Sequence, residues 1–183
     1  MNKSQRKIES GSTRWVVIAS FSALLVAVGV VIWQSRAERV VTKRQESFFE
    51  GVERRDPRLI ERLLADDYED RWGFSGADAA KSIVDVGSQF MTLVVTADEQ
   101  TATFEDGTAE VKTKLTVGGN PVGPVGNEVT RRINRLKEPF VFTWEKQSFL
   151  PSSWRISSID QPELPKELYG YKPGDIRRAM RGE

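Results

Sequence analysis

The hydrophobic positions of the chain are most concentrated near its N-terminus, in the segment Trp15 to Trp33, WVVIASFSALLVAVGVVIW. The segment holds nineteen residues without a charge, and Arg14 and Arg36 flank it. As a helix it would be roughly 28 Å long at about 1.5 Å per residue, close to the thickness of a bilayer's hydrocarbon core. A tryptophan at each end suits the two membrane interfaces. The pattern therefore predicts a single-pass transmembrane helix over residues 15–35.

Two other interpretations of this segment are weaker. A cleaved signal peptide has a shorter apolar region, of about 7 to 15 residues, followed by small residues, and Ser35-Arg36-Ala37 is a poor cleavage site. A buried core helix without a polar face would need a large protein around it, whereas the remaining chain is enough for one ordinary domain. A signal anchor is the preferred interpretation.

Basic residues on both sides of the helix bear on its orientation. The tail, residues 1–14, carries four of them against the single acid Glu9: Lys3, Arg6, Lys7 and Arg14. This excess favours a cytoplasmic N-terminus, although the other flank, residues 36–44, is also basic and argues against it. A short tail before a long domain is the usual plan of a signal anchor. We therefore expect a protein of the bacterial inner membrane, with membrane lipid around residues 15–35 and the C-terminal domain outside the cytoplasm.

Helical periodicity follows the anchor. Residues 36–47 are mostly polar and predict a charged helical stalk, of which only the end, near Phe48 and Phe49, is expected to pack into the domain. Asp56 is a good N-cap before Pro57, and a short second helix should start there.

A third helix is predicted to begin at Ser75 and to end near Met91, after which the apolar period changes to two. The alternation indicates short strands over residues 92–97 and 101–105, a turn at Asp106-Gly107, and a strand over 108–117 with one face in water.

The last part of the chain predicts an aromatic hairpin. Residues 118–127 are rich in glycine and proline and predict a long connection, and residues 129–136 predict a strand or loop. Two strands should follow, over residues 139–149 and 154–159, with the inward side chains Phe140, Phe142, Trp144, Trp154 and Ile156. Residues 161–183 contain prolines and predict a C-terminal tail that ends in a short polar helix, Asp175 to Met180. Helices followed by antiparallel strands indicate an α+β domain over residues 48–160.

The amino-acid composition limits which partners, catalytic groups and metal sites the chain could have. The net charge is +1, which gives no field that would steer the chain to nucleic acid, and we expect no nucleic-acid partner. The sequence contains no cysteine and no histidine. Serine and cysteine nucleophiles paired with histidine are therefore excluded, as are zinc sites built on thiolate or imidazole. Asp, Glu, Tyr, Lys and Arg remain, and no cofactor or metal is expected.

The order of these elements resembles a known superfamily. The run FFEGVERRDPRLIERLLADDYED, a helix ending in Phe90, an alternating strand, and the closing segments PFVFTWEKQ and SWRISSID look like the nuclear transport factor 2-like superfamily, which includes SnoaL-like and ketosteroid isomerase-like proteins. The resemblance covers about Arg39 to Asp160. It implies a cone-shaped domain of about three helices packed on a curved, mostly antiparallel sheet, with a pocket between them. Some members are enzymes, and many only bind or assemble.

The resemblance also implies where a pocket would lie. Its candidate residues here are Tyr68, Trp72, Asp85 and Trp144. A buried Asp85 would have a raised pKa and could act as a base, whereas an exposed Asp85 would be an ordinary helix-surface charge. The three aromatic residues could equally belong to the core. No catalytic set matches, so no catalytic residue is assigned.

Three further segments give weaker evidence for a binding site. The glycine-rich segment 118–126 lacks the Gly-Lys-Ser/Thr that holds phosphates, and the acidic run 66–70 lacks the spacing of a calcium loop. A basic cluster, Arg131, Arg132 and Arg135, is either a solvated edge or a partner patch.

Two classes of function remain open. In the first, a non-catalytic binding or assembly module is tethered to the membrane, similar in plan to the inner-membrane bridging components of type IV secretion systems, with a protein partner or a second copy on the open sheet face. In the second, a membrane-anchored small-molecule enzyme of the isomerase, dehydratase or cyclase type uses an Asp/Tyr pocket. We expect the first.

Overall fold

The computed structural model describes residues 36–165 and 171–181. The chain divides into two compact units, Met1–Ala37 and Glu38–Glu183, and the fold below is that of the second. The predicted tail 1–14 and transmembrane helix 15–35 lie outside the described residues. Within residues 36–165 and 171–181, no helix combines the length and the apolar character that crossing a bilayer requires.

The domain begins with three helices: α1 over residues 36–54, α2 over Pro57–Leu63 and α3 over Gly76–Gly87. The Asp56 carboxylate caps α2, because it accepts the backbone N–H groups of Arg58 and Leu59 at 3.0 and 3.1 Å. Ser75 caps α3 through its hydroxyl. Both predicted helix starts are confirmed, and α3 ends before the predicted limit near Met91.

The first helix packs into the domain earlier than its sequence indicates. Val41 is 1% exposed and Gln45 is 0% exposed, like the buried Phe48 and Phe49 further along. The prediction that residues 36–47 form a charged stalk outside the core is therefore wrong from Val41 onward. The polar Gln45 interrupts the apolar stripe in the sequence, yet it faces the sheet, where its amide oxygen accepts a buried hydrogen bond.

Four antiparallel strands form one sheet in the order β1-β2-β3-β4: Phe90–Glu105, Thr108–Pro121, Phe140–Lys146 and Trp154–Asp160. The Asp106-Gly107 turn joins β1 to β2, and the aromatic hairpin forms β3 and β4, as predicted. Residues 92–97 and 101–105 belong to one strand rather than two. The irregularity between them is a register shift between Asp98 and Thr101, where Glu99 has a φ of 50°.

The glycine- and proline-rich segment differs most from its prediction. Strand β2 continues through Gly119 to Pro121, and helix α4 follows directly over Gly123–Ile133. The predicted connection 118–127 is wrong, and the predicted strand or loop at 129–136 is wrong over residues 129–133, which belong to α4. Gly119 has a φ of 107°, a conformation that glycine adopts readily, and Pro124 lies in the first turn of α4, where no N–H is needed.

The core lies between the helices and the inner sheet face, and the α+β class is confirmed. Its sheet side is formed by side chains that are at most 2% exposed: Ala109, Val111, Thr113, Phe142, Trp144, Trp154 and Ile156. The C-terminal segment is not a detached tail, because Gln161 is 0% exposed and residues 164, 165, 171 and 176 line the same cavity as the helices. The predicted final helix is present as α5, Asp175–Arg181.

Candidate functional site

An apolar cavity of about 500 Å³ lies between the sheet and the helices. Its wall consists mostly of aliphatic and aromatic side chains from α1, α3, α4 and all four strands: Phe48, Phe49, Val52, Ile83, Val86, Phe90, Leu93, Val95, Leu115, Val117, Val129, Ile133, Phe140, Phe142 and Ile159. The C-terminal segment adds Leu164, Pro165, Tyr171 and Ile176. Sites for small molecules typically measure about 300–1,000 Å³ and have this apolar character. The cavity could therefore hold an apolar molecule.

A tyrosine–carboxyl pair forms the main polar feature of the wall. The Tyr68 hydroxyl donates a hydrogen bond to Asp70 Oδ2 at 3.2 Å, and both residues are buried. The other oxygen, Asp70 Oδ1, accepts the backbone N–H groups of Trp72 at 2.9 Å and Phe74 at 3.0 Å. The loop between α2 and α3 thus holds the carboxyl in one orientation.

Burial dominates the electrostatics of this pair. It raises the pKa of the Asp70 carboxyl, against the lowering effect of the hydrogen bonds from Phe74, Trp72 and Tyr68. Burial and then the neighbouring Asp70 charge raise the pKa of the Tyr68 hydroxyl, which stays protonated. Tyr68 therefore keeps its proton and acts as a hydrogen-bond donor. Asp70 is the member of the pair that can bind and release a proton.

The structure brings together two of the four predicted pocket residues. Tyr68 and Trp72 line the cavity, and the Trp72 indole donates to the Pro165 carbonyl at 2.9 Å. Trp144 lies in the core instead, 0% exposed and bonded to Gln45.

Asp85 is the fourth predicted residue, and it lies outside the cavity wall. Its side chain is 0% exposed, so the interpretation of a helix-surface charge is wrong. Asp85 Oδ2 accepts the Tyr171 hydroxyl at 2.9 Å and the Ile176 backbone N–H at 3.1 Å. The carboxyl thereby attaches the C-terminal segment to α3. Burial raises the pKa of the Tyr171 hydroxyl to about 12, which keeps this donor protonated at neutral pH.

The predicted basic cluster lies on and just after α4. Arg131 and Arg132 are exposed and face Glu128 on the same helix, and Arg135 is exposed beyond the helix end. The hydrogen bond from Arg131 lowers the pKa of the Glu128 carboxyl, so this carboxylate keeps its charge. Arg132 also lines the cavity. The prediction of a strand or loop at residues 129–136 had not placed Arg132 there.

Asp70 is the site residue that the sequence interpretation missed, because it stands in the acidic run 66–70. A turn signal was present, since Asp70 precedes Gly73, which has a φ of 75°. An Asp in such a turn commonly accepts nearby backbone N–H groups. As for metals, the described ranges contain no cluster of three or more acidic side chains that could bind an ion.

Comparisons with known proteins bear on the fold. No family model matches the chain, and no curated protein matches it in sequence. The hexachlorocyclohexane dehydrochlorinase LinA-type3 from Novosphingobium barchaimii LL02 is similar in structure, with a TM-score of 0.53 and 14% identity over 69% of this chain and 85% of that chain. An NTF2-like protein of unknown function from Pseudomonas putida KT2440 has a TM-score of 0.50 and 15% identity over 76% of this chain and 98% of that one.

Likeness at such low identity shows the fold alone. The domain therefore has the nuclear transport factor 2-like fold that its order of elements resembles. One neighbour is an enzyme and the other has no known function, so the fold does not choose between the two classes of function.

Proposed function

We propose that this protein is a binding module for an apolar small molecule, held in the cavity of a domain that residues 15–35 tether to a membrane. The apolar cavity of about 500 Å³ is the observation that supports this proposal most directly. Transfer of apolar surface out of water into such a cavity contributes roughly 25 cal/mol per Å² of buried area, and this drives binding without any specific polar contact.

Two features favour binding over catalysis. The chain has no histidine. Both oxygens of Asp70 already accept hydrogen bonds, from Tyr68 on one side and from Trp72 and Phe74 on the other. A general base would have to exchange one of these partners for a substrate proton, which costs part of its stabilisation.

The cavity can be tested by filling it. Leu115 points into the cavity, and the next residue, Thr116, is exposed on the other face of the same strand. We expect 1-decanol to raise the thermal unfolding midpoint of the full-length protein, because a ligand that binds only the folded state stabilises it. The measurement is made in detergent at one fixed micelle concentration.

Leu115→Trp should abolish this rise, and Thr116→Trp should preserve it. The cavity proposal fails if decanol stabilises neither the wild type nor Thr116→Trp, or if Leu115→Trp responds as the wild type does.

The tether is tested separately. The uncharged segment Trp15 to Trp33 predicts that the full-length protein stays in the membrane pellet after alkaline carbonate extraction. Recovery in the soluble fraction would contradict the tether and leave the cavity proposal intact.

A second candidate function is acid–base chemistry at Tyr68 and Asp70. It is favoured by one observation, a carboxyl with a raised pKa in the wall of an apolar cavity. Ligand co-purified with the protein would distinguish the two functions by mass spectrometry. A binding module returns the same molecule from wild type and Asp70→Asn, whereas an enzyme holds product in the wild type and unconverted substrate in Asp70→Asn.

A further inference from the structure

The apolar cavity adjoins a second, polar pocket, also of about 500 Å³. The two share Arg132, Leu164 and Pro165, so that Arg132 stands at their junction. The polar pocket adds two more charged residues, Arg71 and Glu163. A molecule that occupies both spaces would have an apolar part on one side of Arg132 and a polar part on the other.

The other two charged groups of the polar pocket already have partners. Arg71 Nη1 lies 2.9 Å from Asp160 Oδ1 and donates to the Gln161 carbonyl at 2.7 Å. Glu163 Oε2 accepts the backbone N–H groups of Lys137 at 2.5 Å and Glu138 at 3.2 Å. The ion pair compensates the charge of Arg71, and the two neutral N–H donors occupy one oxygen of Glu163 without cancelling its charge.

Arg132 has a weaker ion pair than Arg71. Its one ion pair among the described residues is a long one, 3.7 Å from Nε to Glu128 Oε1. Glu128 is shared, because its Oε2 receives the closer contact from Arg131. The Arg132 side chain is 54% exposed, so its guanidinium can reach a group in either pocket.

We infer that the site takes a single-chain amphiphile with an anionic headgroup, its chain in the apolar cavity and its carboxylate or phosphate at Arg132. This inference rests on the proposed function, since it names the class of ligand for the same cavity. A guanidinium can donate two N–H hydrogen bonds side by side to two oxygens of either headgroup. The apolar wall holds the chain, and Arg132 orients the molecule.

Arg132 and Arg131 form a matched pair for the test. Both are exposed arginines on α4 and both face Glu128, but only Arg132 lines the two pockets. Full-length wild type, Arg132→Gln and Arg131→Gln are titrated with decanoate, decyl phosphate and 1-decanol at one fixed micelle concentration, and the rise in unfolding midpoint gives the apparent affinity.

For wild type we expect at least one of the two anions to bind about 3- to 30-fold more tightly than decanol, the range for a half-exposed to a well-formed charged contact. Arg132→Gln should remove this preference, and Arg131→Gln should keep it. A preference for decanoate indicates a fatty-acid ligand, and one for decyl phosphate indicates a phospholipid-type headgroup.

Failure of the proposed function and failure of the anionic-amphiphile inference give different results. If decanol and both anions leave the midpoint unchanged, the proposed function itself is contradicted. If decanol binds but neither anion is preferred, or if Arg131→Gln lowers the preference as much as Arg132→Gln, only the anionic amphiphile is overturned.

Discussion

The indole Nε1 of Trp144 donates a 2.8 Å hydrogen bond to Gln45 Oε1, and both side chains are 0% exposed. The two residues are 99 positions apart, so this bond ties the first helix to the third strand. The ring contacts of Phe142 with Phe48 and Phe49, at centroid distances of 5.9 and 5.7 Å, continue the same interface. The interface joins the part of the chain nearest the predicted membrane segment to the sheet.

Trp144→Ala should therefore be strongly destabilising. Truncating a large buried aromatic side chain leaves a cavity and typically costs about 3–5 kcal/mol. It also leaves Gln45 Oε1 without its donor. Denaturant unfolding of the full-length protein measures the loss. Lys112→Ala, at a half-exposed position on the outer sheet face, is the control and should change stability by less than about 0.5 kcal/mol. A loss under about 1 kcal/mol for Trp144→Ala would contradict its place in the core.

Local signals in the sequence were sufficient to predict several helix starts, strands and turns. Asp56 and Ser75 each supply an oxygen to free N–H groups at a helix start, and such caps depend only on residues two or three positions away. The alternation over residues 108–117 and the turn at Asp106-Gly107 are local in the same way. These elements could therefore be predicted, together with the α+β class.

Features that depend on distant partners could not be predicted. Asp85 is buried because its partners come from Tyr171 and Ile176, about ninety residues later. Gln45 looks like a surface residue until Trp144 is placed opposite it. The cavity depends on where α4 packs, and the glycines and prolines around Gly119 concealed that helix. Tertiary contacts override local propensity at each of these positions.

Gly119 provides a second prediction. An added Cβ would lie 2.1 Å from the Thr92 carbonyl oxygen, and the residue has a φ of 107°. Gly119→Ala should combine backbone strain of about 1–3 kcal/mol with overpacking of similar size. The free energy of unfolding in denaturant checks this. Gly118→Ala is the matched control, because no atom lies within 4 Å of its Cβ position, and it should change stability by about 0.5 kcal/mol or less. Equal losses at the two glycines would contradict the close approach of β1 at Gly119.

The bond between Tyr171 and Asp85 provides a third prediction. Tyr171→Phe removes the hydroxyl and leaves the buried carboxyl with one donor fewer, which should favour local opening of the C-terminal segment about three- to tenfold. Limited trypsin digestion followed by mass spectrometry should show faster cleavage after Arg178. Cleavage after Lys114, in the sheet, serves as the internal control and should keep its rate.

A double-mutant cycle makes this third prediction specific. Tyr171→Phe and Asp85→Ala should have a combined effect smaller than the sum of the two, because each removes one partner of the same bond. Additive effects would mean that the hydroxyl and the carboxyl act independently.

The last prediction concerns the pH dependence that Asp70 gives to stability. Burial raises the folded-state pKa of this carboxyl above its unfolded value, so folding favours the protonated form. Its contribution to stability is therefore fully present below the unfolded pKa of about 3.9, and it is lost as the pH rises through the folded pKa. Asp70→Asn keeps an oxygen for the N–H groups of Trp72 and Phe74 and an amide for Tyr68, but it cannot ionise.

Relative to Asp70→Asn, the wild type should therefore become less stable as the pH rises from about 3.5 toward 7. Denaturant unfolding of both full-length proteins across this range measures the difference. Asp67→Asn, which removes a carboxylate from an exposed position three residues earlier, should not reproduce the pattern. The opposite trend, with Asp70→Asn losing stability against the wild type as the pH rises, would mean that the three hydrogen bonds to the carboxylate outweigh its burial. Asp70 would then be a structural anion of the α2–α3 loop, without the proton affinity that acid–base chemistry in the cavity requires.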